Sequence, residues 1–321
     1  MSRDFELKEV FNRFKTNPLH IFKLLKLFNN NEINIIHFQL SQHPIFILLL
    51  IYTAKFSGRN KIIITAHNVL SHESKSWEKG IYSKIYSYAD RIIVHAHANK
   101  IDLLEKFKID KDKVTVIPHG NYSFFNEKST LTAAHPDSFN ILFFGYIRKY
   151  KGLSYLIKAL KLIKEKVPQA KLLIIGKPVE DFNEYEMEIH KLGLENNVEI
   201  NLAYAGFDQI NEYFNKANVV ALPYLYTYQS GIVQLAYGFG RPVVASDVGG
   251  LKESIDDGKS GFLVPPRDSE ALSEKIVAIL MDRELQDKMG KYALFLAQTK
   301  FSWEAIAKQT LELCRSTINQ K

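Results

Sequence analysis

The chain has 321 residues and 46% hydrophobic composition, enough to bury more than one core, so two domains are expected. Its 42 Lys and Arg against 35 Asp and Glu leave a net charge of +7, which favours acidic partners such as nucleic acid, anionic lipid or sugar nucleotides without choosing among them. The single cysteine, Cys314, excludes an intramolecular disulfide, a zinc ribbon and a CxxC redox centre, and fits a reducing compartment.

Met1 to Val10 is charged and carries no signal-peptide core, so a cytoplasmic location is expected, with the inner face of the cell membrane as its refinement. Leu19 to Phe28 puts His20, Lys23 and Lys26 on a narrow polar stripe; the pattern suits a buried helix with one wet edge or, as the alternative, a membrane-surface helix. The longest apolar run, Pro44 to Ala54, is too short to span a bilayer and reads as a buried helix. Strands are expected at Ile33 to Phe38, Lys61 to Thr65, Arg91 to Val94 and Val114 to Ile117, with helical patterns between them. The polar stretch Asn126 to Ser138 reads as a linker. Strands resume at Phe139 to Phe144, Lys171 to Ile175, Val198 to Ile200, Val219 to Leu222, Pro242 to Ala245 and Phe262 to Val264, and two long helices, Ser269 to Met289 and Ser302 to Asn319, close the chain.

Alternating strands and amphipathic helices define an α/β protein built from parallel sheets covered on both faces, in which ligands gather at the carboxyl ends of the strands. His37, His67, His95, His97 and His119 all fall at or just past a strand end of the first half, and His37, Asn68, His95 and His119 are candidate cleft residues. In Phe143 to Leu160 a strand runs through Gly145 into Arg148, Lys149 and Lys151, just before the helical run Leu153, Leu156, Ile157, Leu160. Cations are unfavourable at the positive end of a helix unless an anion offsets them, so this segment reads as a phosphate site. A second helix start, Ser230-Gly231, follows the aromatic loop after Pro223; Ser230 can cap that helix and donate to a phosphate oxygen. Other motifs have blander readings. Gly258-Lys259-Ser260 lacks the earlier glycine of a phosphate-binding loop, with Glu253 in its place, and no GxGxxG follows a strand. Asp110-Lys111-Asp112 lies in a helix-to-strand turn, and His95-Ala96-His97 lacks a carboxylate or thiolate partner, so no metal site is expected.

Together with Gly231, the run Gly240-Arg241-Pro242-Val243-Val244-Ala245-Ser246-Asp247-Val248-Gly249-Gly250, then Glu253 and Asp257-Gly258-Lys259-Ser260-Gly261, these residues resemble the donor half of a family 4 glycosyltransferase. The likeness covers most of residues 139 to 290. Thr65-Ala66-His67-Asn68 and Ile117-Pro118-His119-Gly120-Asn121 resemble the family's first-half segments less specifically. The resemblance implies the GT-B fold, two doubly wound Rossmann-like domains with parallel sheets facing a cleft, the N-terminal one lacking its opening strands. It implies domains at 1–125 and 139–300, a linker at 126–138, and a helix at 301–321 packing back toward the first domain.

By that resemblance the chain moves a sugar from a nucleotide-diphosphate donor to a hydroxyl of a surface glycan or lipid-linked precursor, with retention and without metal or other cofactor. His67, Lys151 and Arg148 are its catalytic candidates. Gly145, Tyr146, Tyr226, Thr227, Gln229, Ser230, Gly231 and Gln234 are its donor-binding candidates. The alternative is a catalytically silent sugar-nucleotide-binding subunit, or the donor half of a split enzyme whose missing strands come from a partner chain; nucleic acid is not an expected partner, because the basic residues are scattered. The sequence departs from the family in two side-chain features. Tyr146 stands where an arginine usually follows the glycine, and Thr227 and Leu235 occupy the places of two usual glutamates, so contacts to the donor must come from elsewhere, with Arg148, Gln229 and Gln234 as substitutes.

Overall fold

The computed structural model describes residues 26, 28, 33–40, 43–56, 60–70, 77–126 and 138–319. The chain forms two compact units. The first gathers residues up to Val94, Lys100–Val116 and the stretch from Thr310; the second comprises His95–Asn99 and Ile117–Gln309.

In the first unit four short runs rich in β-branched residues, β1 (Ile35–Gln39), β2 (Lys61–Ala66), β3 (Arg91–Val94) and β4 (Val114–Val116), pair in the order β1-β2-β3-β4, all parallel. Ile62, Ile63 and Ile64 of β2 have no exposed surface, as expected of an inner strand covered on both faces. Parallel pairing needs crossovers, and helices α1 (Pro44–Phe56), α2 (Glu78–Tyr88) and α3 (His97–Phe107) supply them. The structure corrects one expectation here. Helix α1 is not a buried helix: Ile47, Ile51 and Ala54 face inward, while Ile45, Phe46, Leu49, Tyr52 and Phe56 stand exposed. It connects β1, at the edge of the described sheet, to β2 and packs on α2, so among the described residues no further layer covers its outer face. The Leu19 to Phe28 stripe and the 126–138 linker lie mostly outside the described residues; Lys26 is exposed and Phe28 buried.

The second unit holds β5 (Asn140–Phe144), β6 (Lys171–Ile175), β7 (Val198–Asn201), β8 (Val219–Leu222), β9 (Val243–Ser246) and β10 (Gly261–Val264), parallel in the order β10-β9-β8-β5-β6-β7. The sheet grows outward from β5 through β6 to β7, then returns to the other side of β5 and grows through β8 to β10. The topological switch point therefore lies between β5 and β8, where open α/β sheets bind ligands. The helices are α4 (Leu153–Lys166), α5 (Asn183–Lys191), α6 (Phe207–Lys216), α7 (Gly231–Gly238), α8 (Leu251–Ser254), α9 (Ser269–Met281), α10 (Arg283–Gln298) and α11 (Trp303–Asn319). The expected single helix from Ser269 to Met289 is two helices. Asp282 breaks it by accepting a hydrogen bond from the Leu285 N–H at 2.9 Å, so that it caps α10, as Asp268 caps α9 through Ala271.

One face of this sheet packs on α4 and α9 through Leu156, Ile157, Leu160 and Ile276. The other face buries Phe144, Phe214, Tyr237, Phe239 and Phe301. Within that second layer the Tyr237 hydroxyl donates to Ser260 Oγ at 2.7 Å and lies 3.1 Å from the Ser254 carbonyl, and burial pushes its pKa well up. Removing the hydroxyl takes this donor from the Ser254 carbonyl and from Ser260 Oγ, which keeps only its bonds to Asp256. Tyr237→Phe is expected to lower unfolding stability by about 1 to 3 kcal/mol, read as a lower urea midpoint with an unchanged slope.

Candidate functional site

The second unit builds its candidate site at the switch point. After β5 the chain turns at Gly145, whose φ of 96° lies in the region glycine favours, and Gly145 N–H is held by Ile175 O at 2.9 Å. Tyr146 points outward, Arg148 is half-buried, and Lys149–Lys151 form one 3-10 turn before Gly152 starts α4. Gly152 also has a positive φ, 70°, and a Cβ there would overlap the Pro223 carbonyl oxygen. That close approach lets Leu225 N–H bond Tyr150 O at 2.7 Å and clasps the loop after β5 to the loop after β8.

Lys151 is the centre of this arrangement. Its side chain is only 8% exposed, and its ammonium stands 5.5 Å above the Tyr224 ring and 3.1 Å from where a Cβ on Gly145 would lie. Burial lowers its pKa from that of an ordinary lysine; Tyr150 opposes the shift and Arg148 adds to it. Among the described residues no carboxylate pairs with it. The Tyr224 hydroxyl, pushed up to about 12 by burial, lies 3.5 Å from Ser230 Oγ. Ser230 caps α7 by accepting from Ile232 N–H at 3.3 Å, and the Ile232 side chain reaches toward Gly145 and Lys151. The start of α7, a buried cation and two hydroxyls thus share one locality, a combination suited to an anion.

The remaining donor candidates are placed variously. Tyr226 is exposed and packs on Tyr150 at 5.1 Å between centroids. Thr227 is buried and spends its hydroxyl on the Gln229 carbonyl at 2.8 Å. Gln229 is half-buried, whereas Gln234 is buried within α7 with its Oε1 atom lacking a hydrogen-bond partner. Leu235 is buried core. Exposed Tyr146 pairs at 6.5 Å with the exposed ring of Tyr204, in the loop after β7.

Tyr122 enters this site without a sequence signal: its ring stands 3.1 Å from the Cβ position of Gly231, the first residue of α7. It stacks on His119 at 5.4 Å, which in turn meets His95 and Trp303 edge-on. His95 Nδ1 pairs with the Ile117 carbonyl and His119 Nδ1 with that of Gly120. A carbonyl can only accept, so both rings carry their proton on Nδ1.

In the first unit His67 follows β2 directly, with Asn68 next and half-buried. His67 Nε2 donates to Gln39 Oε1 at 3.0 Å, and Gln39 Nε2 lies 3.3 Å from His37 Nε2, itself 2.7 Å from Thr65 Oγ1. This network joins the carboxyl ends of β1 and β2. Gln39, another residue the sequence did not single out, fixes the His67 proton on Nε2 and leaves Nδ1 as the acceptor.

The motifs set aside in the sequence have structural roles. Asp110 is exposed and accepts from Asp112 N–H in a 3-10 turn. The Glu253 carboxylate accepts from the N–H groups of His97 and Ala98 at 2.6 and 2.7 Å. No cluster of three His, Cys, Asp or Glu side chains placed to hold a metal occurs among the described residues.

Comparison with known proteins agrees with this architecture. Residues 126–294 match the family of Glycosyl transferases group 1, and residues 6–120 match Glycosyltransferase Family 4. The fold is GT-B. HepE from Anabaena, solved in complex with UDP, superposes with a TM-score of 0.77 at 21% identity over 93% of this chain and 82% of HepE. A sucrose-phosphate synthase from Thermosynechococcus elongatus gives 0.70 at 22% identity over 94% and 79%. Among curated proteins, a D-inositol 3-phosphate glycosyltransferase of Paenarthrobacter aurescens is 30% identical over 74% of this chain and 60% of its own length. An uncharacterised glycosyltransferase of Methanocaldococcus jannaschii is 30% identical over 76% and 64%. The chain therefore spans about 60% of the length of these curated relatives. It belongs to the glycosyltransferases of group 1, family 4.

Gly152 is the residue on which the clasp between the two loops depends. Gly152→Ala combines a positive φ with overlap onto a backbone carbonyl, so the loops must part. A loss of more than about 2 kcal/mol in unfolding stability is expected, measured by urea denaturation; Gly193→Ala, where a Cβ meets nothing and φ is also positive, is the milder control.

Proposed function

We propose that the protein moves a sugar from a nucleotide-diphosphate donor to a hydroxyl of a surface glycan or lipid-linked saccharide precursor, with retention and without a metal. The observation that carries this reading is the buried Lys151 ammonium, lacking a carboxylate partner among the described residues, at the switch point beside the start of α7. A diphosphate supplies the missing counter-charge. HepE, of the same fold, is solved with UDP and with UDP-glucose, which supports a sugar nucleotide as the ligand class.

In the reaction the acceptor hydroxyl oxygen bonds to the anomeric carbon while the bond from that carbon to the phosphate oxygen breaks. The electron pair leaves with the nucleotide diphosphate, and the acceptor proton passes to the departing phosphate oxygen. Charge therefore builds on the diphosphate, where Lys151, Arg148 and the N–H groups at the start of α7 stabilise it. His67, fixed by Gln39, is assigned to hold the sugar hydroxyls.

A second reading, a silent or split member, draws on one observation. Neither Thr227 nor Leu235 offers a carboxylate where family members usually have one, and Thr227 already donates to a backbone carbonyl. Transfer assays on the purified protein, alone and with candidate partner chains, separate the two readings.

Lys151→Ala is expected to weaken nucleotide diphosphate binding by about 1.5 to 3 kcal/mol by calorimetry, with nucleoside binding little changed; equal affinity in the folded variant would remove the site assignment. Because burial lowers the Lys151 pKa, its ammonium loses charge at a lower pH than an ordinary lysine. Diphosphate affinity of the wild type should accordingly fall as pH rises through that lowered value. The fall should be absent in Lys151→Ala.

The His67 assignment has its own readout. His67→Ala is expected to lower turnover by about 10- to 1000-fold with diphosphate affinity nearly unchanged. Full turnover in the variant would refute the role.

A further inference from the structure

Helix α1 carries an apolar stripe that the described residues of the first unit leave exposed. Ile45, Leu49, Tyr52 and Phe56 recur at helical spacing on one side and are 54%, 56%, 55% and 83% exposed, while the opposite side is buried against the unit. Isolated exposed leucines are ordinary, but four large side chains in one line form a surface that water solvates poorly. The helix is 13 residues long, about 20 Å at 1.5 Å per residue. That is short of the roughly 30 Å hydrocarbon core, so this face can lie on a bilayer but not cross one.

The charges around the stripe select the partner. Helix α1 has no acidic residue, and its one cation, Lys55, pairs with Asp90 at 3.2 Å. Asp90 is further occupied by the Ile62 N–H at 2.7 Å. On the neighbouring helix α2, Lys84 is exposed and Glu78, the one acidic residue of that helix, is half-buried. The Lys84 ammonium stands 5.3 Å over the Tyr88 ring, whose edge meets Tyr52 at 6.5 Å, so the lysine borders the stripe directly. A second copy of this chain on the same face would bring lysine against lysine. An anionic lipid surface meets Lys84 with opposite charge, takes the leucine and phenylalanine into its apolar layer, and seats tyrosines at headgroup depth.

We infer that the outer face of α1, with Lys84 of α2 at its border, docks the protein on an anionic membrane surface. The binding itself is independent of the glycosyltransferase reaction; only its purpose, bringing the enzyme to a lipid-linked acceptor, rests on the proposed function. Vesicle binding and diphosphate binding are therefore read separately.

The test is co-sedimentation of the full chain with phosphatidylcholine vesicles and with vesicles containing about one third phosphatidylglycerol. Wild type should sediment with the anionic vesicles at low salt, be released by high salt, and ignore the neutral ones. The double variant Leu49→Glu/Phe56→Glu should bind at least about tenfold more weakly while keeping the wild-type melting temperature and diphosphate affinity. Lys84→Glu, at an exposed site, should lose a smaller share. Wild type that fails to sediment with anionic vesicles, or a folded double variant that binds undiminished, would overturn the inference. So would a wild-type dimer in solution that the double variant dissociates, since the face would then be a subunit interface.

Discussion

The architecture of the second unit turns on one unfavourable group, a lysine ammonium held out of water without a carboxylate. Burying an unpaired charge costs several kcal/mol, and a cation over an aromatic face recovers only about 0.5 to 2. Tyr224 therefore offsets part of the cost of Lys151 and not the whole. The position is maintained by backbone features rather than by charge pairing. Gly145 leaves room for the ammonium beside β5, and Gly152 lets the following turn press against Pro223. The strand order puts β5 and β8 side by side, so that both loops leave the sheet at the same edge.

The aromatic setting of that cation follows from the same constraint. Tyr150, Tyr224 and Tyr226 surround the clasp, and Tyr122 closes on the first residue of α7. Burial raises the hydroxyl pKa of Tyr122, Tyr150 and Tyr224, so all three rings around the cation stay neutral. The first unit shows a parallel case of a hydrogen bond fixing a side chain: Gln39 sets the proton position on His67.

Much of the framework was legible in the sequence because its signals are local. Runs such as Lys61 to Ala66 and Val219 to Leu222 are β-branched and bounded by turns, and the structure pairs them as parallel strands. The glycine turn followed by cations was legible for the same reason. What escaped depends on contacts between distant residues. Gln39 lies 28 positions from His67, and Tyr122 approaches Gly231 only after the chain has built the sheet between them. The break at Asp282 was hidden because apolar periodicity continues through it into α10, and the capping hydrogen bond outweighs that continuity. Helix α1 misled in the opposite sense. An all-apolar run states that burial is favourable and says nothing about how many layers the fold provides to bury it.

The replacement of acidic side chains in the loop after β8 bears on how the site handles charge. Pro223 to Gly231 reads PYLYTYQSG and contains no ionisable acid or base apart from its tyrosines. A carboxylate in this loop would supply Lys151 with an internal counter-ion. With Thr227 turned onto the Gln229 carbonyl and Leu235 in the core, no such counter-ion is present among the described residues. The positive charge of Lys151 and the start of α7 stays uncompensated behind a wall of neutral aromatic rings, where the dielectric is low and each charge acts strongly. Polar contacts in such a site fall to hydroxyls and amides, while its positive field comes from the Lys151 ammonium, with Arg148 nearby, and the start of α7.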